Sequence, residues 1–451
     1  MLALLLCLFS ILLQAATEPL HYGLFGDLHV ARPAQPIART VIFLSDADGW
    51  DSREEAYAQA LAEDAALVVG VDLPSYLKAL AALKDHCSYP AAHLEEVSHW
   101  IERHEALADY FVPTLIGLER GANLAYAIAA QAPAGTFRDL VTLGADFSLR
   151  WEKPFCPGDA GPVTAQSAPN DYAFVPVAQL PLPWLADPFA FGTRRLGMPA
   201  PLERLIGLGR ESPMKYSGAA NELAANLREA HRYADARKAK LPEDVADLPI
   251  TDIEPIAPVQ PRIAIVLTGD GGWAGLDKGV AAALAARGMR VVGFSTLKFF
   301  WQTRKPEEAA DAVARIIGHY SAQVPDAKFI LIGYSFGASL APVVANRLPD
   351  AARERLIAQY LISPDDDAVF EIKVGDWFGS AHHDGTLPIA PELAITKVPA
   401  FCIHGADESD TPCRTLDGHG VSALSLPGGH HYDGDYSALG TLIFEHLPAA
   451  Q

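Results

Sequence analysis

A chain of 451 residues exceeds what one ordinary core supports and suits two domains of about 200 residues each. Half of it is hydrophobic and a fifth charged, which excludes a disordered protein. A formal net charge of −20 argues against a nucleic-acid partner, whose phosphates it would repel; it favours a cationic ligand, or simply solubility.

In chain order, residues 1–16 are an apolar run closing on small residues. That run is too short for a bilayer helix, which needs about 20 residues, so residues 1–17 read as a secretory signal. No later segment is apolar enough to span a membrane, and an exported protein with at most peripheral membrane contact is expected. Four cysteines follow: Cys87, Cys156, Cys402 and Cys413. An even number in an exported chain permits disulfides, in three possible pairings. Cys402 with Cys413 would close a short loop, and Cys87 with Cys156 would lie within the first half. Buried free thiols are the alternative.

The next elements occur twice. Val41 to Trp50 is an apolar strand run ending in a Gly/Asp turn and a tryptophan, and Ala264 to Trp273 repeats it. An Ala-rich helical stretch and a strand follow in each copy, Ala66 to Val71 and Met289 to Phe294. After a further helix, Thr114 to Asn123 matches Ile330 to Ser339. Apolar strands alternating with helices predict parallel strands covered on both faces, hence doubly wound, mostly parallel α/β sheets in tandem. The boundaries expected are 18–220 for the first domain, a Pro- and acid-rich linker over 221–260, and 261–451 for the second.

Gly333-Tyr334-Ser335-Phe336-Gly337 lies between an apolar strand and an Ala-rich helix. That context suits a nucleophile elbow, where glycines admit a strained turn that lifts the serine hydroxyl above the sheet. The second domain therefore reads as an α/β-hydrolase with Ser335 as nucleophile. A general base and an orienting acid should follow in the order Ser, acid, His. The base is His430, which directly follows the glycine pair of a loop near the end, with His431 as the alternative. His382 and His383 precede the acid segment and suit a surface or lid. The acid is Glu408, three residues beyond the Gly that ends the strand Val398 to Gly405, with Asp407 and Asp410 as alternatives. The oxyanion hole should combine the Phe336 N–H with that of Asp270 or Gly271, in the Gly-rich turn after the domain's first strand. That turn lacks a dinucleotide fingerprint or a phosphate-binding lysine, and no His/Cys/Asp cluster has metal-ligand spacing, so neither cofactor nor metal is expected. In the first copy Glu119 stands at the serine position, which predicts a degenerate domain whose role is packing and stability, or gripping a substrate or partner. Ala186 to Leu205 and Trp377 to Pro391 are lid candidates.

The motifs LTGDGGW (267–273), GYSFGASLAP (333–342) and LPGGHHYDGDY (426–436), with Trp301, resemble the AcvB/VirJ family of bacterial virulence proteins. The resemblance spans most of the second half and reaches the first through the repeat. It implies a periplasmic α/β-hydrolase that removes the amino acid from aminoacyl-phosphatidylglycerol, lysyl- or alanyl-, and a possible secretion-system partner. It places the family's Ser, acid and His roles on Ser335, Glu408 and one of His430 and His431. An aminoacylated phospholipid at the membrane surface is thus the expected substrate. An esterase for another acyl substrate, and a non-catalytic periplasmic factor, are the competing readings.

Overall fold

The computed structural model describes residues 20–448, save 147–149, 159–160, 176, 178–179, 187–219, 222, 226, 229–230, 232–241, 257, 373–384 and 419. The expected signal segment, His382, His383 and most of both lid candidates lie outside the described residues.

Two seven-stranded sheets form, one in each half of the chain. The first runs Leu20–Tyr22, Gly26–Ala31, Ala66–Val71, Arg39–Leu44, Thr114–Leu118, Asp139–Leu143, Trp184–Ala186 in spatial order. The second runs Ile250–Ile253, Arg290–Phe294, Arg262–Leu267, Lys328–Tyr334, Leu356–Ile362, Ala400–Gly405, Val421–Leu426. Pairing is parallel except at one edge of each sheet. Alternation along the strands explains the two-faced burial. Ile263, Ile265 and Leu267 enter one core, while Ala264 and Val266 enter the core on the opposite face. In the first half Ile42 and Leu44 divide from Val41 and Phe43 in the same way. Helices cover both faces, as parallel sheets require.

The sequence repeat is a structural repeat down to single contacts. A Cβ on Gly70 would fall 2.1 Å from the Trp50 ring, and one on Gly293 would fall 2.3 Å from the Trp273 ring. Each tryptophan therefore lies flat on the neighbouring strand, and only glycine admits it. Glu119 and Ser335 share one strained backbone conformation, at φ 48° and φ 49°.

The segment 221–260, expected as a linker, is divided between the two halves. Leu223, Ala224 and Leu227 are buried in the first half's core, Val245 and Leu248 in the second's. Ile250–Ile253 is the antiparallel edge strand of the second sheet. The flanking Pro249 and Pro255 and the neighbouring acids look like a linker in sequence, but a sheet edge with one solvated face tolerates them.

The halves meet through the helix Pro90–His104 and the loop after it. The Trp301 Nε1–H donates to Leu107 O at 3.0 Å, and the Arg103 guanidinium lies 4.2 Å from the Trp301 ring centroid. Tyr110 is buried in the second half's core, and Lys278 Nζ donates to Ala134 O at 2.6 Å. Two disulfides, Cys87–Cys156 and Cys402–Cys413, each stay within one half.

Candidate active site

Ser335 caps the helix Phe336–Arg347 directly after the strand Lys328–Tyr334. Its φ of 49° and ψ of −116° are strained for a residue with a side chain. The flanking glycines are required by close approach. A Cβ on Gly333 would lie 2.2 Å from Gly337 O, and one on Gly337 would lie 2.3 Å from Leu267 O. The elbow thus exists because strand, turn and helix touch backbone to backbone.

Glu408 accepts hydrogen bonds from the Gly405 N–H at 2.6 Å and from the Ser363 hydroxyl at 2.8 Å. Its other oxygen, Oε1, lies 2.8 Å from His430 Nδ1. Burial works to raise the Glu408 carboxyl, but these partners outweigh it and hold the group below its ordinary value. A proton count orders the network behind it. Ser363 has one hydrogen, which goes to the carboxylate, so the single Tyr432 hydroxyl hydrogen is shared between Ser363 Oγ at 2.7 Å and Ile403 O at 3.1 Å. Asp407 and Asp410 are exposed.

His431 has different company. Its Nδ1 lies 3.1 Å from the Tyr334 hydroxyl, and burial together with the adjacent His430 lowers its pKa. His430 therefore has the acid partner and His431 the tyrosine. With Nδ1 of His430 directed at Glu408, its Nε2 is the nitrogen left for other work. Ser335, His430 and His431 line one cleft of about 520 Å³. Ser335 and His430 have no hydrogen bond between them here; nucleophile–base contacts commonly tighten only around substrate.

The first copy shows where an oxyanion would sit. Asp46 aligns with Gly269, Ala47 with Asp270, and Arg120 with Phe336. Oδ1 of Asp46 accepts the N–H of Ala47 at 2.6 Å and the N–H of Arg120 at 3.2 Å. A negative oxygen thus occupies the spot between the two amides that correspond to those of Asp270 and Phe336. Beside it, Glu119 in the serine position is held by Arg53 at 2.8 Å. In the second copy Gly269 leaves that spot open. The geometry favours the Asp270 amide over that of Gly271 as the partner of the Phe336 amide.

The cleft is not built by the second half alone. Tyr89, Ala92, Glu95, Glu96, Pro133 and Thr136 of the first half face Gly269–Gly272, Asp277, Tyr334 and Tyr436. Sequence reasoning missed Glu95, Asp277, Ser363, Tyr334 and Tyr432 as site residues. It also missed Asp365, an exposed carboxylate that feels the charge of His430. Tyr334 and Tyr432 could have been found, since each adjoins a motif residue; Glu95 offers no local signal.

Sheet order, strained elbow and the convergence of Ser335, Glu408 and His430 define the second half as an α/β-hydrolase. Residues 261–451 match the family model described as "Bacterial virulence protein (VirJ)". No curated protein matches the sequence. Among solved structures, the chain is similar to an α/β serine hydrolase without lid from Xanthomonas campestris, at 20% identity and a TM-score of 0.30. That match covers 45% of this chain and 90% of the other. An α/β serine hydrolase homologue from Coxiella burnetii matches at 15% identity and a TM-score of 0.32, over 44% of this chain and 91% of the other. An esterase domain from Rhodothermus marinus matches at 15% identity and a TM-score of 0.32, over 44% and 92%.

Proposed function

We propose that this protein is a periplasmic serine hydrolase that cleaves the aminoacyl ester of aminoacyl-phosphatidylglycerol, releasing the amino acid and phosphatidylglycerol. The observation that carries the hydrolase reading is the Glu408–His430 pair opening onto the same cleft as Ser335. In this reading His430 Nε2 takes the hydroxyl proton as Ser335 Oγ attacks the ester carbonyl. The carbonyl oxygen becomes an anion and accepts the N–H groups of Phe336 and Asp270. As the C–O bond breaks, the proton passes from His430 to the departing glycerol oxygen. Water, activated by the same histidine, then releases the amino acid from Ser335. Glu408 holds the imidazole tautomer throughout and offsets its positive charge.

The family match and an acidic cleft support the aminoacylated substrate, whose ammonium group an acidic wall attracts. The two disulfides support an oxidising compartment, as export to the periplasm requires. No helix among the described residues is long and apolar enough to cross a membrane; in this reading the lipid is met by peripheral contact, together with a secretion-system partner. The test is thin-layer chromatography of alanyl- and lysyl-phosphatidylglycerol after incubation with the purified protein and with Ser335→Ala. The reading expects free amino acid and phosphatidylglycerol from the first and neither from the second. Intact lipid with both proteins, while a fluorophosphonate still labels Ser335, would keep the hydrolase and discard the substrate.

A further inference from the structure

We propose that Glu95 of the first half and Asp277 of the second form, with Asp270, a subsite for the α-ammonium group of an aminoacyl ester. The degenerate half would then supply the recognition wall of the other half's reaction site. The inference rests on Ser335 marking the reacting end of the cleft.

Three observations converge. Glu95 projects from the helix Pro90–His104 toward the oxyanion turn: its Oε1 would lie 3.8 Å from a Cβ placed on Gly271. Its carboxyl has no hydrogen-bond or ion-pair partner among the described residues, although the neighbouring Glu96 is tied to the Tyr22 hydroxyl at 2.7 Å. Asp277, 2% exposed, lines the same cleft, and its Oδ1 is buried with no partner. Its other oxygen takes a long 3.4 Å bond from the Ala274 N–H. A buried carboxyl oxygen left without a donor, as Asp277 Oδ1 is, is costly and is ordinarily satisfied. A ligand that brings N–H donors and positive charge would satisfy it and meet the half-buried Glu95 carboxyl across the turn.

Connectivity then selects the ligand group. In an aminoacyl ester the α-ammonium is attached one carbon away from the carbonyl under attack. When the carbonyl oxygen faces the N–H of Asp270, the ammonium must lie beside the same turn, where Glu95 faces Gly271. Burial and the charge of Asp270 push Glu95 up to about 8, and burial likewise pushes Asp277 up to about 8. Carboxyls that reluctant to ionise alone gain most from a cation placed between them. The repeat also acquires a purpose: a domain whose own oxyanion position is filled by Asp46 still presents a helix to its neighbour's cleft.

Binding tests this without turnover. In the Ser335→Ala protein, calorimetry would compare L-alaninamide with its uncharged isostere isobutyramide. We expect alaninamide to bind at least about tenfold more tightly. That preference should fall to about twofold or less when Glu95→Gln or Asp277→Asn is added. Glu95→Lys, which puts a cation in the wall, should abolish it. Equal binding of the two amides, or a preference that survives all three changes, would overturn the proposal. So would tighter binding of 6-aminohexanamide than of alaninamide, because it would assign the wall to a side-chain ammonium. Cleavage of aminoacyl lipid by the unaltered protein is read separately. Its absence beside an intact alaninamide preference sinks the aminoacyl-lipid reading alone, and its presence without any preference sinks the subsite alone.

Discussion

Oδ1 of Asp46 accepts the backbone N–H of Arg120 at 3.2 Å, so the first repeat stoppers its own oxyanion position with a carboxylate. The second repeat has Gly269 where the stopper Asp46 stands in the first. Gly269→Asp should transplant the stopper and lower kcat by at least about 10²–10³-fold, the usual loss for a disabled oxyanion donor. A side chain at this position also crowds Tyr334, whose ring would lie 3.1 Å from the new Cβ. Gly269→Ala carries the crowding without the charge and should stay within about tenfold of the parent. Ester hydrolysis kinetics on both variants separate the two causes. Equal losses in both would show that crowding, and not the carboxylate, is responsible.

The two adjacent histidines should separate sharply. His430 has the Glu408 carboxylate at 2.8 Å, whereas His431 has the Tyr334 hydroxyl at 3.1 Å. Removing the general base of such a constellation leaves only the residual rate from the oxyanion hole and binding, so His430→Ala should lose about 10³-fold or more in kcat. His431→Ala and Tyr334→Phe should cost about tenfold or less. Steady-state kcat for the three variants on one soluble ester decides it, and a larger loss at His431 would reverse the assignment.

Ser363 acts one bond further back. Its hydroxyl donates to Glu408 at 2.8 Å and accepts from Tyr432. Ser363→Ala leaves the carboxylate with the Gly405 N–H and His430. We expect a fall in kcat of about tenfold, with KM nearly unchanged, because positioning and not substrate contact is lost. A rise in KM with kcat intact would instead place Ser363 against the substrate.

How much of this was legible in sequence depends on the range of the interaction. The elbow is a local object: its glycines, strand and helix are consecutive, and the conformation follows from their contact. Glu408 was reachable because strand end and acid are three residues apart. His430 and His431 could not be firmly told apart, since two neighbours in one loop differ only in what meets them, and Tyr334 comes from a strand nearly a hundred residues earlier. Glu95 was out of reach altogether. On its own helix it reads as one acid among several solvent-facing ones, and only the docking of one repeat on the other turns it into the cleft. Ile250–Ile253 was lost for the opposite reason: a four-residue strand set between Pro249 and Pro255 among acids suits a sheet edge as well as a linker.

Reaction and stability should pull in opposite directions at Asp277. Burial pushes its carboxyl from an ordinary 3.8 up to about 8; the Ala274 N–H and Lys278 oppose the shift and Asp270 adds to it. Between about pH 4 and 8 the unfolded chain has released this proton while the folded chain retains it, so stability falls as pH rises through that window and levels off above it. Glu95, facing Asp270 and likewise raised to about 8, adds to the same slope. Asp277→Asn keeps an acceptor for Ala274 and removes the titration. It should therefore leave stability near pH 4 little changed and raise it by about 1 kcal/mol or more at pH 8. Urea unfolding of both proteins at the two pH values measures this, and a difference independent of pH would show that the carboxyl is not desolvated. Adding L-alaninamide at pH 8 should narrow the gap, because the ligand stabilises only the folded protein that still has the acid to bind it.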